Sequence, residues 1–124
     1  MASAADGALL VGSAESWAIG NAQTNYLFGN TGNNYIDGAG GGDVMQGGGG
    51  NDVYRLRLFE LNGDAISDFG TGDLIQFQGY NAATSTVTAL GGNLYRVGDS
   101  SNGAAEVFGI SNGFALTAAN YTFL

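Results

Sequence analysis

The chain contains no cysteine, no histidine and no proline. Without cysteine there are no disulfides or thiolates, and without histidine there is no imidazole metal site or imidazole acid–base catalysis. A zinc centre is effectively excluded. Basic residues are scarce: Lys+Arg 3 against Asp+Glu 11 gives a formal net charge of −8. Such a chain offers no electropositive surface to nucleic acid or to an anionic membrane. No apolar run approaches membrane-spanning length, so membrane insertion is not expected. The longest run near the start, residues 8–11, is short and lacks the basic flank of a signal peptide. The start reads either as that of a chain not exported by the signal-peptide route or as that of an excised domain with an added start. The lack of cysteine leaves the compartment open. A hard divalent cation, which selects carboxylate and carbonyl oxygens, is the partner this charge balance suits best.

What the chain has in abundance is glycine, 23 of 124 residues, and it is not scattered. Residues 20–28, 29–37, 38–46 and 47–55 read GNAQTNYLF, GNTGNNYID, GAGGGDVMQ and GGGGNDVYR. Position one is glycine in all four, position six is Asn25, Asn34, Asp43 and Asp52, and position eight is Leu27, Ile36, Met45 and Tyr54. Three columns keeping one register exclude a featureless glycine-rich linker. A glycine-rich hexapeptide turns tightly, and the three residues after it form a short strand whose middle side chain points inward. Turn, strand, turn, strand makes an all-β fold: a right-handed parallel β-roll cored by the position-eight column.

Two nonapeptides complete one coil, so turns facing each other on one edge belong to units two apart. Position six then pairs Asn25 with Asp43 and Asn34 with Asp52. Each pair, with carbonyls of the glycine turns (Gly38 and Gly40 in the third unit, Gly47 and Gly49 in the fourth), makes an oxygen cage of the kind calcium occupies with six to eight ligands. These repeats resemble the RTX family of calcium-binding nonapeptides, pattern GGxGxDxUx. The match is strongest in the third and fourth units. In the first two, asparagine replaces aspartate, so a cage there holds one charge where the family pattern holds two and should bind calcium more weakly.

Beyond Arg55 the period breaks. Residues 56–60 continue as a strand with Arg55 and Arg57 on one face, and Asn62-Gly63 marks a turn. After a twelve-residue excursion, residues 68–75, DFGTGDLI, align as a fifth turn with Asp73 at position six and Ile75 at position eight. The stretch DAISDFGTGDLI resembles the segment following the repeats in the C-terminal domains of serralysin-type metalloproteases and other RTX exoproteins. That resemblance implies that Asp73 is a calcium ligand. Asp68 is either a further ligand or a turn cap.

The remainder alternates like antiparallel β structure, with strands at 85–90, 93–97 and 105–110, a short helical turn at 117–120, and a last strand at 121–124. Residues 1–19 read as a degenerate N-terminal cap or lead-in, with Leu9 and Ala18 at position eight and Gly12 at position two. The layout is thus a lead-in (1–19), a calcium-binding roll (20–77) and a C-terminal β segment packed on it (78–124), in one structural domain. Trp17, Tyr26 and Tyr35 fall at position seven and point outward, either as a sugar-binding platform or packed against the C-terminal strands or an upstream domain.

The RTX resemblance implies a secreted module with two or three structural calcium ions, read by a type I secretion apparatus and folding on calcium outside the cell. Its parent would carry a catalytic or adhesive domain upstream. The alternative is a polysaccharide-binding accessory module, similar to the R-modules of mannuronan C5-epimerases, which bind alginate; only Arg55, Arg57 and Arg96 could supply a basic strip for an anionic sugar. No nucleophile has a recognisable base, so the chain is not expected to be an enzyme.

Overall fold

The structure, a computed structural model, describes residues 16–124 and the backbone of Ala2–Ser3 and Gly7–Leu9. These last two segments are β1 and β2. Short strands follow at nearly even spacing: β3 Ser16–Ile19, β4 Tyr26–Phe28, β5 Asn34–Asp37, β6 Val44–Gln46, β7 Val53–Arg57, β8 Ala65–Ile66 and β9 Leu74–Gln78. The C-terminal strands are β10 Ser85–Gly91, β11 Leu94–Asp99, β12 Ala104–Ile110 and β13 Tyr121–Phe123, the last preceded by a 3-10 turn at Ala118–Asn120 capped by Thr117.

Among these residues the odd strands β1-β3-β5-β7-β9-β13 form one sheet, and β2-β4-β6-β8-β12-β11-β10 form the other. Strands two apart pair in parallel, the signature of a chain coiling through two sheets in turn. The expected parallel roll is therefore present. Its core is the position-eight column: Ala18, Ile36, Tyr54 and Ile75 stack in one sheet, and Leu27, Met45, Ile66 and Ile110 in the other, all fully buried. Each large member contributes about 2 kcal/mol of burial.

The stretch expected to be a twelve-residue excursion from the roll carries one of its repeats. Successive coils are 18 residues apart up to Asp52, then 21 apart from Asp43 to Asp64 and from Asp52 to Asp73. The break is thus a three-residue lengthening at the corner after β7, and Asp64 opens a further repeat whose strand, Ala65–Ile66, is laid on Val44 and Met45. Near the start, the register sets Ala8 rather than Leu9 beside Leu27, whereas Ala18 does stack on Ile36. Gly12 lies outside the described residues.

The C-terminal segment contains the expected antiparallel pairs β10–β11 and β11–β12. It also closes the roll: β12 adds in parallel to β8 and β13 to β9. Around these junctions Phe77 touches the rings of Tyr80, Phe108, Tyr121 and Phe123, a continuous aromatic plug.

Candidate metal centre

Turns line the two edges of the roll, and each edge carries a column of position-six residues. One column is Asn25, Asp43 and Asp64; the other is Asn34, Asp52 and Asp73. Each lower member accepts the backbone N–H of the member above through Oδ1: Asn25 to Asp43 at 2.7 Å, Asp43 to Asp64 at 2.9 Å, Asn34 to Asp52 at 2.8 Å, and Asp52 to Asp73 at 2.8 Å. Six buried polar side chains are thereby drawn into register by the backbone itself. The pairs expected from the nonapeptide period are brought together. Asp64 was missed, although its spacing of two to Ile66 and nine to Asp73 repeats that of Asp43.

The other oxygen separates the members. Asp43 Oδ2 and Asp52 Oδ2 are buried and accept no hydrogen bond. They sit over the position-one glycines: a Cβ on Gly38 would strike the Asp43 carboxylate, and one on Gly47 would strike both Asp52 Oδ2 and the Tyr54 hydroxyl. Position one is glycine because the position-six side chain fills that space. At Gly48 and Gly50, with φ of 84° and 80°, the reason is the left-handed backbone instead. Gly40 and Gly49 lie over Ala22 and Thr31 of the preceding coil, with room for a Cβ at 3.4 and 3.5 Å.

Asn25 and Asn34 are held otherwise. Asn25 Oδ1 accepts the Asn21 N–H at 2.8 Å while its amide donates to Asn21 Oδ1 at 3.2 Å; Asn34 repeats this with Asn30 at 2.8 and 3.0 Å. Asp73 has both oxygens engaged, the second by the Gly70 N–H at 2.9 Å. Asp68 reaches across to the fourth turn, where it accepts Gly47 N–H and the Tyr54 hydroxyl on one oxygen and Gly48 N–H on the other.

Burial raises the Asp43 and Asp52 carboxyls to about 6 and Asp64 to about 8, against the donating N–H groups, which pull them down. Neighbouring acids add to the rise: Asp37 at Asp43, Asp73 and Asp68 at Asp52, and Asp43, Asp37 and Glu106 at Asp64. Asp73 is raised by burial as well. Each carboxylate is thus held at a cost that a cation would relieve. Among the described residues no three carboxylates gather at one point. A cation here would take one or two carboxylates and complete its shell with carbonyl oxygens, which suits calcium.

Residues 19–54 match the model of the RTX calcium-binding nonapeptide repeat, in four copies. This stretch is an RTX repeat array. RTX repeats are calcium-binding structural elements, not catalytic ones, and here their four copies span the orphaned Asp43 and Asp52 oxygens. No curated protein matches the chain. Among solved structures it is similar to the R3 subunit of a mannuronan C5-epimerase from Azotobacter vinelandii, with a TM-score of 0.56 at 22% identity, over 96% of this chain and 84% of that one. The likeness extends the shared fold beyond the array to the closing strands. No helix of the described residues is long and apolar enough to cross a membrane.

Proposed function

We propose that the chain is a calcium-driven folding module of a secreted protein. The observation that carries this reading is the pair of buried, unpartnered oxygens, Asp43 Oδ2 and Asp52 Oδ2, one on each edge of the RTX array. An isolated buried carboxylate oxygen is costly, and a divalent cation relieves it. Asp43 and Asp52 are the anchoring ligands, with Asp73 and Asp64 next in their columns. Asn25, Asn34 and Asp68 border the same turns, and the carbonyls of Gly38, Gly40, Gly47 and Gly49 supply neutral oxygens. Two or three ions are held, and their role is structural.

Where free calcium is scarce, stacked acids repel and glycine entropy keeps the chain open, a state able to thread a type I secretion apparatus. At millimolar calcium and a site constant of about 0.1 mM, each site adds roughly 1.4 kcal/mol, and two or three together add about 3 to 4. That is comparable with the whole stability margin of a small domain. A catalytic or adhesive domain of the parent would lie upstream. Replacing Asp43 and Asp52 together with alanine should leave a chain whose circular dichroism no longer responds to calcium; a retained response would reject these ligands.

The second reading is a polysaccharide-binding module. It is favoured by the outward Trp17–Tyr35 pair, which the C-terminal strands leave uncovered, since β13 lies at the opposite end of that sheet.

A further inference from the structure

On the outer face of the odd-strand sheet, the position-seven row runs Trp17, Tyr35, Val53 and Leu74. Trp17 is 51% exposed, and its ring lies 5.3 Å from that of Tyr35, tilted by 31°. Tyr35 is fixed from two directions: the Arg55 guanidinium sits 4.9 Å over its ring, and its hydroxyl donates to Gln76 Oε1 at 2.8 Å. Beside this aromatic wall stands an amide wall, Asn33 and Asn51, joined by the Asn51 N–H donating to Asn33 Oδ1 at 2.7 Å. Between the walls is a hollow of about 110 Å³ lined by Trp17, Asn33, Asn34, Tyr35, Asn51 and Val53. In a chain of net charge −8, this lining holds no charged side chain.

We propose that the hollow binds a neutral hexose oligomer, with a sugar ring stacked on Trp17 and its hydroxyls hydrogen-bonded to the carboxamides of Asn33 and Asn51. The proposal rests on the second reading above and names its ligand class. A pyranose has an apolar C–H face that suits an aromatic ring and hydroxyls that both donate and accept, as a carboxamide does. An anionic sugar would meet the acidic chain, and the two cations of this face are engaged, Arg57 with Asp37 and Arg55 over Tyr35. A protein partner needs an apolar patch of several hundred Å², whereas this pair is bordered by Asn33, Asn51, Asp37 and Gln76. The amide wall belongs to the turns of Asn34 and Asp52, so the hollow exists only where those turns are folded.

Trp17 is the single tryptophan, so its fluorescence reads this surface alone. The full chain in calcium is titrated with cellohexaose, mannohexaose, maltohexaose and an alginate hexamer, and its circular dichroism is recorded with and without calcium. The expected result is a saturable emission shift with at least one neutral hexamer and none with alginate. In Trp17→Leu, calorimetry should show affinity for that hexamer reduced at least about tenfold while the calcium response of the dichroism is unchanged. Silence with all three neutral hexamers, binding of alginate alone, or undiminished heat in Trp17→Leu would overturn the proposal. Silence beside an intact calcium response sinks the sugar site and leaves the folding role standing; sugar binding by a chain indifferent to calcium does the reverse.

Discussion

Asn25 and Asp43 occupy the same position in successive coils of one edge, yet only Asn25 closes its own turn. It does so because position two is also asparagine, Asn21, and the two amides bond reciprocally; Asn30 and Asn34 do the same. In the third and fourth units position two is Ala39 and Gly48, position six is aspartate, and one oxygen is left over. No link between positions two and six was drawn from the sequence, because a side-chain pair inside a turn has no periodic signature. Replacing Gly47 with alanine should cost about 2 to 4 kcal/mol in a denaturant titration, since the added Cβ meets Asp52 and Tyr54. The raised carboxyls set a pH dependence. Metal-free, the fold binds more protons than the unfolded chain, so the stability from Asp43 and Asp52 is present below about pH 4 and lost as pH rises through about 6. Asp64 extends that loss toward about 8. Without calcium the β signal in circular dichroism should therefore be larger at pH 5 than at pH 7.5, and calcium should reverse the order; a metal-free β signal that rises with pH would contradict these environments.

At the scale of elements, the repeat strands, their parallel pairing and the inward column were all legible, because period nine fixes which side chain faces inward. The sixth-position columns followed from the same period as far as Asp52. Beyond it, three extra residues at the corner hid Asp64 and the strand after it, Ala65–Ile66, too short to show periodicity of its own. This two-residue strand nonetheless joins the roll to the closing strands, with Ile66 fully buried between Met45 and Ile110. Ile66→Ala should cost about 2 to 5 kcal/mol in calcium, measured by urea unfolding. A loss below about 1 kcal/mol would show that the two parts are held together elsewhere.

For the whole molecule, the roll is not expected to stand alone. Its C-terminal end is finished by β12 and β13, strands contributed by a segment whose own pairing is antiparallel. Long-range closure of this kind leaves little trace in local sequence, which marked these strands but not their partners. A fragment ending at Gln78 would expose Phe77 and Ile66 to water and should remain unfolded even in calcium; a β spectrum from it would show that the array folds alone. The central claim, that calcium supplies the partners the buried Asp43 and Asp52 oxygens lack, is tested most directly by far-UV circular dichroism of the full chain at neutral pH during calcium titration. The account predicts coil in chelator and cooperative gain of β signal at roughly 0.1 mM calcium. A full β spectrum in chelator, unchanged by calcium, would contradict it.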